Sequence, residues 1–214
     1  MPYELNKHHL AVAFSSGALI DAGKRVVFEV RELGRLSVSS GAIAASDPLV
    51  NPNPRAYGEN VPNGHHRVSV AIARFENGDE RIAFARVSFT TAAPATWRMA
   101  AQEGQDHANL GPDVYFGYGV DSGTGCFMDP VAGKLLAERM HVEDEYCRTI
   151  IDGMEQTYKH TRSWFEFRPS AKRDENVICF SSGFGDGSYP SFFGFDVQGR
   201  LSVLVTDFLV LEGE

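Results

Sequence analysis

Apolar and polar positions alternate along much of the chain, and the alternation predicts a β-rich fold. Val68, Val70 and Ile72 alternate with Ser69, Ala71 and Ala73, and Ile82, Phe84 and Arg86 alternate with Ala83, Ala85 and Val87. Glu76-Asn77-Gly78-Asp79-Glu80 lies between these runs, and its Asn-Gly step favours a type I′ hairpin turn. Val26-Val27-Phe28 and Leu36-Ser37-Val38 predict two more strands, separated by a turn at Gly34-Arg35. Val114 to Val120 predicts a strand that Asp121-Ser122-Gly123-Thr124-Gly125 turns back through Cys126-Phe127-Met128. Trp164 to Phe167, Val177 to Phe180, Phe192 to Phe195 and Leu201 to Leu211 complete the set. Consecutive Xaa-Pro steps between Ser46 and Pro54 break helix and ladder alike, so that stretch reads as loop.

One region carries a helical period. Asp129-Pro130 is a helix start, with Asp as N-cap and Pro at the first helical position. Cys147, Ile150, Ile151, Met154 and Tyr158 follow at helical spacing and predict one stripe facing a core. Gly133 or Gly153 is placed to weaken or divide this helix. Sequential strands with short turns imply a mainly antiparallel β-sheet or sandwich. With one central helical segment over about 130–160, the class is α+β. The 214 residues suit a single domain over 1–214, with 1–23 a loosely attached N-terminal segment.

Charge and cysteine usage narrow the function classes. Twenty basic and twenty-eight acidic side chains leave a net charge of −8. Such a chain is repelled by phosphate backbones, and its basic residues are scattered, so the reading is no nucleic acid and, as partner, a basic protein. Cys126, Cys147 and Cys179 are odd in number and lack metal-type spacing, which fits a reducing compartment without disulfides. The start at Met1-Pro2-Tyr3-Glu4 has no basic run followed by an apolar one, and no stretch approaches the ~18 apolar residues of a membrane span. The expectation is a cytoplasmic protein with no membrane contact.

Carboxylates supply the candidate chemistry. By period two, Leu201, Val203, Val205, Leu209 and Leu211 share a face with Asp207. That makes Asp207 a buried or cleft-lining acid with a perturbed pKa, unless a bulge at Thr206 turns it outward. The segment Ser181 to Pro190 holds Asp186 among three glycines, where the backbone can approach a ligand; Asp186 would bind a cation or donor and Tyr189 would present its hydroxyl. Asp121 lies in Gly119 to Cys126, which lacks the Gly-Lys-Ser/Thr of a phosphate loop, so Asp121 reads equally as a turn residue. Asp196 opens the turn Asp196-Val197-Gln198-Gly199. Cys126 reads as a small buried hydrophobe rather than a nucleophile. His8-His9 and His65-His66 each offer one ligand at most, so zinc is not expected. Oxygen ligation by Asp121, Asp129, Asp186 and Asp196 would suit Ca²⁺ or Mg²⁺ only if their loops converge. No metal and no cofactor are assigned.

Three stretches together carry a resemblance: Ser40-Gly41 through Asp47-Pro48, Gly119 through Gly125, and Ser182 through Pro190 with Asp196 and Val205-Thr206-Asp207-Phe208. Over roughly residues 34–211 the chain resembles a bacterial family catalogued as a domain of unknown function, number 4241. The resemblance places Asp121, Asp186, Tyr189 and Asp207 in the family's signature segments and assigns them no role. Two function classes follow from the residues. The first is a non-catalytic binding protein, like an immunity protein that neutralises a partner. Its alternative is a small hydrolase-like enzyme using paired carboxylates such as Asp186 and Asp207, with or without a divalent metal.

Overall fold

A computed structural model describes residues 2–140 and 145–212. In chain order it begins with α1 (Lys7–Phe14), β1 (Ala18–Asp21), β2 (Lys24–Val38), β3 (Ala44–Ser46), β4 (Gly64–Phe75), β5 (Glu80–Ser88) and β6 (Thr96–Met99). It continues with β7 (Gly117–Val120), β8 (Thr124–Met128), α2 (Pro130–Met140), α3 (Glu145–Glu155), β9 (Trp164–Phe167), β10 (Val177–Ser181), β11 (Gly187–Phe195) and β12 (Leu201–Asp207). The class is α+β with antiparallel sheets. The large sheet runs β1-β2-β4-β5-β12-β11-β6, with β7 also pairing β11, and the small sheet runs β3-β8-β10-β9.

The two sheets and two helices form layers, and the small sheet sits in the middle. Phe127 on β8 and Ile178 and Phe180 on β10 point into the core shared with the large sheet. Their neighbours Cys126, Met128, Val177 and Cys179 point the other way, into a second core closed by Ala132 and Leu136 of α2 and Ile150 and Met154 of α3. Covered on both faces, β8 is buried throughout, as its continuous apolar run requires. Gly133 and Gly153 do not break these helices. A Cβ at Gly133 would meet Met128 Sδ at 2.9 Å, and one at Gly153 would meet the Phe165 ring at 2.5 Å, so both let a helix lie close on the sheet.

Several expectations need correction. Residues 24–38 are one strand, not two: Gly34 is a bulge at φ 143°, where the register with β4 shifts. The β4–β5 hairpin forms, but with another turn. Gly78 N–H donates to Phe75 O, Phe75 N–H donates to Asp79 O, and Gly78 alone has positive φ, which is a type I turn with a bulge. β7 and β8 are not a hairpin either. β7 pairs β11 in the large sheet and β8 pairs β3 and β10 in the small one, so the chain crosses between sheets at residues 121–123. The helical segment is two helices, and residues 141–144 within it lie outside the described residues. β12 stops at Asp207, because Leu209 turns to φ 53°.

The N-terminal segment, expected to be loosely attached, packs on the body. Its helix α1 was not foreseen. Asn6 caps it by accepting from His9 N–H, and Leu5, Leu10 and Ala13 join the main core. α1 lies against β2 and β4, on the large sheet's outer face.

Candidate functional site

The crossing at residues 121–123 and the glycine-rich loop after β10 meet at one place. A Cβ on Gly123 would touch Gly185 Cα at 3.8 Å, and Asp186 Oδ1 accepts from Gly123 N–H at 3.2 Å. Two of the segments singled out in the sequence thus converge. Asp196 does not join them: it sits beyond the opposite end of β11, in the β11–β12 turn. There its carboxylate accepts from Gln198 N–H, Arg200 N–H and Arg200 Nε. Those bonds, chiefly the Arg200 backbone one, hold its carboxyl below the ordinary range. It is a turn staple. Asp129, too, is buried and committed, its Oδ2 accepting from Ser39 and Ser40 N–H and its Oδ1 from Val131 N–H. Among the described residues no group of three or more His, Cys, Asp and Glu is placed to hold a metal ion.

The crossing is built on Asp47, which the sequence shows only as the end of a resemblance stretch and without a role. Asp47 is fully buried. Its Oδ2 accepts from Asp121 N–H at 3.0 Å and Ser122 N–H at 2.7 Å. Its Oδ1 accepts from Leu49 N–H at 2.9 Å and Ser122 Oγ at 2.8 Å. Four donors fill the four lone-pair positions of a carboxylate, so Asp47 is a fixed anchor. Asp121 itself is exposed, and its N–H is what the anchor uses.

Tyr189 likewise turns inward rather than presenting its hydroxyl. It is 5% exposed, and its hydroxyl donates to Gly185 O at 2.8 Å. Its ring packs on Phe208 with centroids 5.0 Å apart, and Phe208 packs on Phe180 at 6.0 Å. Burial raises its pKa. The glycine-rich loop is therefore braced from below by the aromatic core. Asp207 is buried as expected, at 5% exposure, and no bulge turns it outward. Tyr3 Oη donates to its Oδ2 at 3.0 Å and Leu209 N–H donates to its Oδ1 at 2.9 Å. Burial pushes its pKa up to about 6 against the pull of those two bonds. Asp186, by contrast, is exposed, and its Oδ1 accepts from Gly123 N–H. Cys126 is buried beside Ser46, and burial pushes its thiol up to about 12, which makes it inert as a nucleophile.

The converging loops form one wall of a groove of about 480 Å³. Ser122, Gly123, Thr124 and Ser181 to Gly183 line that wall, and Ile150, Ile151, Met154 and Glu155 of α3 line the other. The apolar stripe read from the sequence splits here. Ile150 and Met154 are buried, whereas Ile151 is 45% and Tyr158 64% exposed. Phe184, at the tip of the glycine-rich loop, is 61% exposed and lies under the Arg81 guanidinium at 5.2 Å. Three of the lining hydroxyls are already committed, Ser122 to Asp47, Ser163 to Ser181 and Ser182 to Gly185 O.

The groove's far end rests on a strained segment. His160 and Thr161 have φ of 50° and 69°, each costing of order 1–3 kcal/mol. Arg162 holds the segment: its Nε donates to Glu80 Oε2 at 2.7 Å, with both side chains nearly buried. Burial would raise Glu80, but Arg162 and Arg74 outweigh it and keep its carboxyl below the ordinary range. Thr161 Oγ1 also donates to Glu80 O at 2.8 Å. Nothing in the sequence marks Glu80 or Arg162, which lie eighty-two positions apart.

A family model described as Protein of unknown function (DUF4241) matches residues 36–206, most of the chain. The chain belongs to that family. The DUF4241 match takes in the Asp47 anchor, the sheet crossing, α3 and the glycine-rich loop, which is every element of the groove. α1 and Tyr3 lie outside it. No curated protein and no solved structure matches the chain. No helix among the described residues is long and apolar enough to cross a membrane.

Proposed function

We propose that the protein is a non-catalytic binding protein that presents the groove beside α3 to a basic partner protein, in the manner of an immunity protein. The observation that carries this reading is the pair of large exposed side chains that line the groove, Ile151 and Tyr158, with the exposed Phe184 on the glycine-rich loop between the lining residues Gly183 and Gly185. Exposed apolar and aromatic side chains gathered in one place are the usual anchors of an interface. Exposed carboxylates lie on the same elements, Glu155 at the groove, Asp152 on α3, Asp121 at the sheet crossing and Asp186 in the glycine-rich loop, and with a net charge of −8 they favour a basic surface on the partner. The carboxylates of Asp47 and Asp186 serve this function by fixing the crossing and the glycine-rich loop, since a loop fixed before binding loses less entropy on binding. Its free cysteines suit a reducing compartment such as the cytoplasm.

The test is affinity capture from lysate by the full chain, followed by titration of whatever is captured. The expected result is a partner retained by wild type and by Asp196→Asn, lost with Ile151→Ser/Tyr158→Ser, and weakened by added salt. Equal retention by the double variant would overturn the reading. So would a hydrolytic activity that disappears with Asp186→Asn.

A further inference from the structure

The outer face of the large sheet gathers arginines that are scattered in sequence. Register places Arg35 on β2 opposite Arg67 on β4, Arg67 opposite Ser88 on β5, and Ser88 opposite Val203 on β12. Residues directly opposed across antiparallel strands share a face. Arg86, two residues from Ser88, shares it too and lies opposite Ser69 and Val205. These cations, with His65, line a cavity of about 510 Å³ that also receives Ser88 and Thr90. The sequence shows no basic patch, but the fold makes one in an acidic protein.

Arg86 is the singular member. Its guanidinium lies 3.8 Å from the centroid of the Phe14 ring of α1. Its Nε is buried without a hydrogen-bond partner, and so is the Oγ of Ser69 directly across the ladder, a residue 2% exposed. Glu32 approaches Arg67 at 3.4 Å and Asp174 bonds His65 at 2.6 Å, but among the described residues no carboxylate pairs with Arg86 or Arg35. Burial, aided by the nearby Arg67 charge, brings the Arg86 pKa down to about 10, so the cation lacks a counter-ion. A partly buried charge in that condition gains most from an anion that supplies the missing acceptors.

The second half of the site is apolar. A neighbouring cavity of about 430 Å³ is lined by Leu10 and Phe14 of α1 with Trp97 and Val205. It shares Arg86, Ala93, Pro94 and Val203 with the cationic cavity, so the two are one groove with Arg86 at the junction.

We propose that this groove binds a small amphiphilic carboxylate, its head against Arg86 and Arg67 and its apolar tail along Phe14, Trp97 and Val205. The head supplies acceptors to Arg86, and the tail displaces water from the apolar half. This site is separate from the groove beside α3 and does not depend on the function assigned there.

The test is calorimetric titration of the full chain with three probes below their micellar concentrations: decanoate, acetate and decyltrimethylammonium. Decanoate is expected to bind saturably, and the other two to bind at least about tenfold more weakly, since each lacks one half of the match. Arg86→Met keeps the stem on Phe14 and removes the charge; it is expected to weaken decanoate about tenfold or more. Arg67→Ser, at an exposed position, gives the same direction without touching the core. The proposal fails if decanoate does not bind, if the cationic detergent binds as well, if acetate binds as tightly as decanoate, or if both variants bind decanoate like wild type.

Discussion

Replacing Asp207 with Asn should make the protein more stable, and the gain should grow with pH. The carboxyl is 5% exposed and its pKa rises from the ordinary 3.8 to about 6, chiefly because burial disfavours the charged form. The fold therefore holds the protonated acid more tightly than the unfolded chain does. That stabilisation is complete below pH 3.8 and is lost as pH rises through about 6. The rise corresponds to about 3 kcal/mol, of which about 2 kcal/mol falls between about pH 4.5 and about pH 8. Asn cannot ionise, is close in size, and keeps an oxygen for Leu209 N–H. The advantage of Asp207→Asn over wild type should thus be about 2 kcal/mol larger at about pH 8 than at about pH 4.5. For a chain of this length that is roughly 4–8 °C in Tm. Urea unfolding of both proteins at the two pH values measures it. Parallel profiles would refute the reasoning, because they would mean that Asp207 carries no pH dependence. Tyr3→Phe gives an internal check: it removes a hydrogen bond that pulls the pKa down, so its stability loss should begin at the same pH as in wild type but run on to higher pH and be larger in total.

Other substitutions test the scaffold of the groove. Asp47→Ala leaves the N–H groups of Leu49, Asp121 and Ser122 without their acceptor and should cost about 2–4 kcal/mol by urea denaturation. Arg162→Ala leaves the Glu80 carboxylate to Arg74 alone and should cost about 1.5–3 kcal/mol, with earlier proteolysis near His160. Gly183→Ala forces a Cβ to within 2.9 Å of Phe208 O at φ 51° and should lower Tm while leaving Asp207's pH dependence in place. Ile151→Ser, at a half-exposed position, should change stability by no more than about 0.5 kcal/mol in thermal melts, which makes it a clean probe of binding.

The elements legible in the sequence are those whose signal is local. β4 and β5 alternate strictly around Asn77-Gly78, and β9 and β10 are short aromatic or β-branched runs, so their existence is readable without partners. Which strand pairs with which is not local. Cys126-Phe127-Met128 looks the same whether it returns beside β7 or crosses into another sheet, and only the Asp47 anchor decides for the crossing. α1 escaped because Lys7-His8-His9 opens a helix whose buried side combines His9 with Leu10 and Ala13, a short pattern with little apolar period. The site divides in the same way. Asp207 stood out because it broke an aliphatic pattern, and its burial follows from that. Asp186 and Tyr189 were readable as a loop, but not the direction in which they face. Asp47, Glu80, Arg162 and Arg86 carry no pattern, since each owes its state to residues far away in the chain or on neighbouring strands.

The place of β12 in the large sheet bears on how the chain is made. β12 inserts between β5 and β11, so β5 has its final neighbour on one side only until Leu201 to Asp207 has been synthesised. From Ser88 onward the ribosome thus carries a β1-β2-β4-β5 meander whose open edge is long, largely apolar and unpaired. Such an edge pairs readily with a second nascent chain. On a crowded polysome, the interval between translating β5 and β12 is the period of greatest aggregation risk, and a holdase that covers a bare strand edge is the kind of assistance this topology calls for.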